Sequence, residues 1–154
     1  MYPLLVQLHS YIRYFVLFFL LFVIIRSFYF WQKKLPFNKQ TDKISLYLFI
    51  TTHIQLLLGL ILYFISPRVQ LAHMGAAMRD PIARYWTVEH ISVMILAVVL
   101  ITVARITMKK LSGDENKHKR LFLYNTAALI LVLAVIPWPH QAVGAGHHFL
   151  FGFF

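Results

Sequence analysis

Four stretches of nearly unbroken apolar residues alternate with short polar connectors along the chain, near positions 4–31, 43–65, 86–108 and 120–138. A hydrocarbon core of roughly 30 Å takes about 20 helical residues to cross, so each run is long enough to span it. The pattern predicts four transmembrane helices. Connector 32–42 carries Pro36 and Asn38, connector 66–85 carries Pro67, Gly75 and Pro81, and connector 109–119 carries Ser112 and Gly113. These residues break helices or form loops. Connectors this short favour antiparallel neighbours, so the expected fold is all-α, an integral membrane four-helix bundle running up-down-up-down. The first run has no basic segment before it and no small-residue cleavage site after it, and it ends at Tyr29, Phe30 and Trp31 ahead of Lys33 and Lys34. It reads as a retained span and not as a removable signal peptide.

Composition agrees and adds direction. Hydrophobic residues make up 60% of the 154 and charged residues only 13%, outside the range of soluble domains. A formal charge of +10 would suggest nucleic acid in a soluble protein. Here the cations flank the apolar runs, so the partner they imply is the lipid bilayer and not nucleic acid. Connectors one and three, with their edges, hold Lys33, Lys34, Lys39, Lys43, Lys109, Lys110, Lys117, Lys119 and Arg120; connector two holds only Arg68, Arg79 and Arg84. Short loops rich in Lys and Arg stay in the cytoplasm. Both termini are therefore expected in the periplasm, in the inner membrane of a bacterium. Residues 1–139 read as one bundle, and 140–154 as an aromatic tail at the interface or against a partner, too short and Gly-interrupted for a fifth span.

The chain has no cysteine. That excludes disulfides, thiolate-ligated zinc, cysteine-held iron–sulfur clusters and covalent c-type haem. It also contains no Gly-rich phosphate loop, no HExxH, no GxSxG and no paired carboxylates, which argues against nucleotide hydrolysis, zinc proteolysis and serine or glycoside hydrolysis.

Ionisable groups in hydrocarbon are costly, so polar residues inside the runs carry the functional signal. These include His9, Ser10 and Arg13 in the first, Thr51, Thr52, His53 and Gln55 in the second, and Glu89, His90 and Ser92 in the third. At about 1.5 Å per residue, His9 and His90 lie roughly 6–9 Å from the same side and His53 roughly 18 Å. His9 and His90 are therefore level, with His53 beneath and His140 above. Two imidazoles from different helices can hold a haem iron, and neutral imidazole also ligates copper or zinc, for which His9, His90 and His53 are the candidates. Arg13, one turn from His9, could meet a haem propionate, a quinone carbonyl or Glu89. Glu89 could instead accept an N–H from a ligating imidazole or carry a proton. Thr52, Gln55 and Gly59 share a stripe and read as helix-to-helix glue. Met94 and Ala97 read as packing, His73 and His118 as solvated, and His147 with His148 as a weak metal signal.

The segments LHSYIRYFVLFFLLFVII, THIQLLLGLILYFISPRVQ, RYWTVEHISVMILAVVLITVARI and KHKRLFLYNTAALILVLAVIPWP carry a resemblance over roughly residues 4–139. The recurring features are His9 to Arg13, His53 with Gln55 to Leu60, Thr87 to His90, and Ile136 to Pro139. The chain resembles a family of small bacterial four-helix membrane proteins commonly labelled cytochrome b-like. The resemblance implies the four-helix fold and a redox role.

Two functions from different classes follow. The first is a b-type cytochrome-like electron-transfer module, with His9 and His90 as axial ligands of haem b, Arg13 countering a propionate, Glu89 supporting a ligand and His53 an alternate ligand or quinone contact. It would work between membrane quinol and a periplasmic or membrane partner. The second is a cofactor-free accessory subunit that stabilises a larger membrane complex, such as other respiratory subunits, or pairs with a second copy of itself. A narrower third is copper or zinc binding by the same histidines.

Overall fold

The computed structural model describes residues 1–138. The expected interfacial tail at 140–154, including His140, His147 and His148, lies outside the described residues. Those described are predominantly helical, with no strand among them: α1 (Tyr2–Gln32), α2 (Lys39–Ile65), α3 (Met74–Ala77), α4 (Pro81–Arg84), α5 (His90–Lys110) and α6 (Asp114–Val135). A 3-10 turn at Leu71–His73 leads into α3. A π-helical turn at Tyr85–Glu89 joins α4 to α5, so one apolar helix runs from Pro81 to Lys110. Four helices, α1, α2, Pro81–Lys110 and α6, are long and apolar enough to cross a membrane.

Local chemistry sets the ends. α2 starts before the apolar run because the Asn38 side chain accepts the Thr41 N–H at 3.0 Å, satisfying a first-turn donor. The third span starts at Pro81 because the Asp80 carboxylate takes the N–H groups of Ile82 and Ala83, while Pro81 has no donor to satisfy. α6 starts at Asp114, after Gly113 turns the chain at a φ of 84°, which favours glycine. It stops at Val135, two residues before Pro137, which cannot extend a helix.

α1 packs on α2, α2 on α5, α5 on α6 and α6 on α1, which places α1 and α5 diagonally across the bundle. Side chains join starts to ends. Tyr2 Oη lies 3.2 Å from Ser66 Oγ at one end of the α1–α2 pair, and Arg26 Nε donates to Thr41 Oγ1 at 2.9 Å at the other. Near the end of α5, buried Arg105 donates to the Ser45 hydroxyl and to the Asp42 carbonyl at 3.0 Å, and it pairs with the Asp42 carboxylate at 3.2 Å. A guanidinium among apolar helices is tolerable only with such partners.

The close-packed core lies through the middle and toward the lysine-rich end, built from Leu20, Val23, Leu48, Ile101, Met108 and Leu121. Ala104 and Ala128, both fully buried, let α5 and α6 approach closely. Phe15, Phe18, Leu57, Phe64, Ile106 and Ile130 point outward and are exposed. A surface this apolar suits lipid.

His118 departs from expectation. It is fully buried, its ring 5.4 Å from that of Phe30 and 5.2 Å from that of Phe37. Because α6 begins at Asp114, residue 118 belongs to a packed helix and not to a connector. His73 is exposed.

Candidate functional site

Opposite the lysine-rich end the helices part around a cavity of about 650 Å³. This volume falls within the range of small-molecule sites, roughly 300–1,000 Å³. The cavity follows α1 from Tyr2 to Leu17, roughly 22 Å at the helical rise. Its polar lining includes His9 and Arg13 of α1, Thr52 and Gln55 of α2, and His90 of α5, with Met94 beneath His90. His9 and His90 thus reach one cavity from diagonal helices.

His90 is held in one tautomer. Its Nδ1 lies 3.1 Å from the carbonyl oxygen of Val135, which can only accept, so Nδ1 carries the proton and, in the neutral imidazole, Nε2 keeps its lone pair. That carbonyl is available for a reason written in the sequence. Within a continued helix the residue four further on would donate to it, and that residue is Pro139, which has no N–H. Pro137 deprives the Leu133 carbonyl in the same way, and the Trp138 indole N–H donates there at 3.1 Å. Tyr85 shares the Val135 carbonyl, its hydroxyl donating at 2.6 Å. The acceptor that orients His90 therefore belongs to Val135, immediately before the closing Ile136 to Pro139 motif.

The π-helical turn brings both donors to it. The His90 N–H bonds the Tyr85 carbonyl five residues back, widening the helix by one residue just before the imidazole. Tyr63 of α2 donates to the Thr87 carbonyl at 2.9 Å, and Thr87 Oγ1 accepts the Gln70 N–H at 3.1 Å. The irregular backbone thus keeps its hydrogen bonds, as a low-dielectric setting requires.

His9 is placed by α2. Gln55 Nε2 donates to the His9 carbonyl at 2.9 Å, and the imidazole rests against Gly59. Its Nδ1 is buried without a partner, as are Gln55 Oε1 and Thr52 Oγ1 on the same wall. Of the stripe Thr52, Gln55 and Gly59, Gln55 joins α2 to α1 and Gly59 seats the imidazole, while Thr52 is buried on the same wall.

Arg13 lines the cavity and donates to Tyr14 Oη at 3.5 Å. Glu89 is not its partner. The Glu89 carboxylate pairs with Arg84 at 2.6 Å and lies outside the cavity lining. His53 also stands apart: Nδ1 donates to the Phe49 carbonyl at 2.8 Å, and Nε2 is 3.5 Å from Thr102 Oγ1. Among the described residues no three His, Cys, Asp or Glu side chains are grouped closely enough to hold a metal ion together.

Two participants escape a reading of polar residues alone. Tyr85 stands just before the third apolar run, where nothing marks it until its partner, the Val135 carbonyl, is seen. The Val135 carbonyl is visible only through the two prolines that follow it. Arg26 and Arg105 also lie within apolar runs, where their charge marks them, but they bind Thr41 and Asp42 at the opposite end and stand outside this cavity. No family model, curated protein or solved structure matches this chain.

Proposed function

We propose that the chain is a b-type cytochrome-like electron-transfer module, an up-down-up-down bundle of a bacterial inner membrane with both termini periplasmic and a haem b held between His9 and His90. The observation that carries this reading is the Val135 carbonyl on His90 Nδ1, which leaves Nε2 free on a cavity that His9 also lines. Histidines that ligate metals usually donate their other N–H to a carbonyl or carboxylate, so His90 is built as a ligand is built. Two imidazoles on diagonal helices, an apolar cavity of about 650 Å³ and a guanidinium on its wall fit a planar group with acidic substituents. When bound, such a group supplies one-electron transfer. The residues do the rest. Gly59 admits the His9 ring, Tyr85 and Val135 hold that of His90, Arg13 offsets negative charge, and the outward aromatic and aliphatic side chains keep the site in lipid. The module works beside other membrane subunits or a second copy of itself, with membrane quinol as its source of electrons.

The test is an oxidised and dithionite-reduced absorption spectrum of protein purified after haem-supplemented expression, with a pyridine haemochrome count. The expected result is b-type bands at about one haem per chain, lost in H9A and H90A and kept in H53A. A featureless spectrum, or bands that survive in both H9A and H90A, overturns the reading.

A further inference from the structure

A second concavity lies at the opposite, lysine-rich end. It measures about 290 Å³ and gathers Lys39 from the start of α2, Lys109 from the end of α5 and Lys117 from the start of α6. The general rule that cytoplasmic connectors are basic accounts for the sign of these residues. It does not account for three of them, from three helices, surrounding one hollow.

The charges there do not cancel. Asp42 is the acid in the wall, and Arg105 already stands 3.2 Å from it. Lys117 reaches Asp114 only at 4.0 Å, an exposed contact of little energy. The wall therefore holds three ammonium groups against one carboxylate, which Arg105 already pairs. Asn38 adds a donor: its Oδ1 accepts from Thr41 and Arg26, which turns the amide nitrogen to other partners. Phe37 and Met108 supply an apolar floor, with the Lys117 ammonium 5.4 Å from the Phe37 ring centroid.

We infer that this hollow binds a phosphate group, supplied by the headgroup of an anionic phospholipid in the adjoining leaflet. Several oxygens on one tetrahedral centre can take ammonium donors from three directions, and basic pockets between spans are where acidic headgroups bind. The site lies where α2, α5 and α6 enter or leave the apolar zone, at the level of lipid phosphates. The Phe37 and Met108 floor suits the glycerol end of a lipid better than free phosphate. The inference is independent of what the other cavity holds.

The test uses the full chain in neutral detergent, with phosphatidylglycerol, phosphatidylcholine or inorganic phosphate added, and reads thermal unfolding. Phosphatidylglycerol is expected to raise Tm by about 5 °C or more, and the other two are not. The gain should vanish in K39Q/K109Q/K117Q and persist in K33Q/K34Q/K110Q, which removes equal charge outside the hollow. Equal loss in both triples, or no advantage of phosphatidylglycerol over phosphatidylcholine, overturns the site. An equal gain with inorganic phosphate overturns the lipid assignment. Should the pocket triple fail to fold, K109Q decides by native mass spectrometry: lipid retention is expected to weaken roughly fivefold, at about 1 kcal/mol per lysine near a membrane surface. Unchanged retention overturns the proposal.

Discussion

A β-carbon on Gly59 would stand 3.1 Å from Cε1 of His9, so the α2 glycine is the space that the α1 imidazole fills. That separation is tighter than ordinary van der Waals contact, and the ring would have to shift by a few tenths of an ångström to admit even alanine.

The pair predicts a reversal of sign. Alanine is the better helix former by about 1 kcal/mol, whereas overpacking costs about 1–3 kcal/mol. Gly59→Ala should therefore destabilise the protein by about 1 kcal/mol, and in a His9→Ala background it should stabilise it by a similar amount. A double-mutant cycle read by reversible unfolding in mixed micelles checks this. The same sign in both backgrounds would mean that His9 does not occupy the space.

Tyr85 and His90 converge on the Val135 carbonyl, and they should prove separable. Tyr85→Phe removes one of the two donors and is expected to cost about 1 kcal/mol. His90 should stay protonated on Nδ1, because its own bond to the carbonyl persists. Nitrogen NMR of labelled histidine reports the tautomer directly. A switch to the Nε2-protonated form in the wild type would remove the argument for His90 as a ligand.

His118 should behave as a core residue and not as a functional one. Its ring nitrogens make no hydrogen bond of ordinary geometry, and aromatic rings stand on two sides. His118→Phe is expected to hold stability within about 1 kcal/mol of wild type or to raise it, since an unsatisfied buried polar group is removed. A loss of more than about 2 kcal/mol would show that the Leu35 or Pro36 carbonyl, each near the ring, is a true partner.

The chain has no cysteine, so any introduced thiol is a unique reporter of sidedness. With a membrane-impermeant maleimide, Arg79→Cys is expected to label from the periplasm, and Lys34→Cys and Ser112→Cys only after the membrane is opened. The inverse pattern would reverse the orientation, and labelling of all three from one side would rule out the alternating path.

The four long helices were legible because membrane spans write themselves as long apolar runs, and connectors as breakers and lysines. His9 and His90 could be singled out as a pair by counting residues along their helices, and both line one cavity. The linear pattern did not separate His53 from them, or Glu89 from Arg13. Depth leaves rotation about the helix axis open, and neighbours settle that. His53 turned to the Phe49 carbonyl and Thr102, and Glu89 found Arg84 one π-helical turn away.

What the sequence determined by itself is therefore the one-dimensional part: the number of apolar helices, their approximate lengths, the position of each polar residue along its helix, and, through Pro137 and Pro139, which carbonyls at the end of α6 lack a backbone donor. What only the tertiary structure decided is who meets whom. The diagonal placement of α1 and α5, the seat of His9 on Gly59, the shared carbonyl of Val135, the burial of His118 and the convergence of three lysines all depend on side-chain packing between helices. Backbone hydrogen bonds are satisfied within each helix whatever its rotation, so only the contacts between helices fix the facing residues.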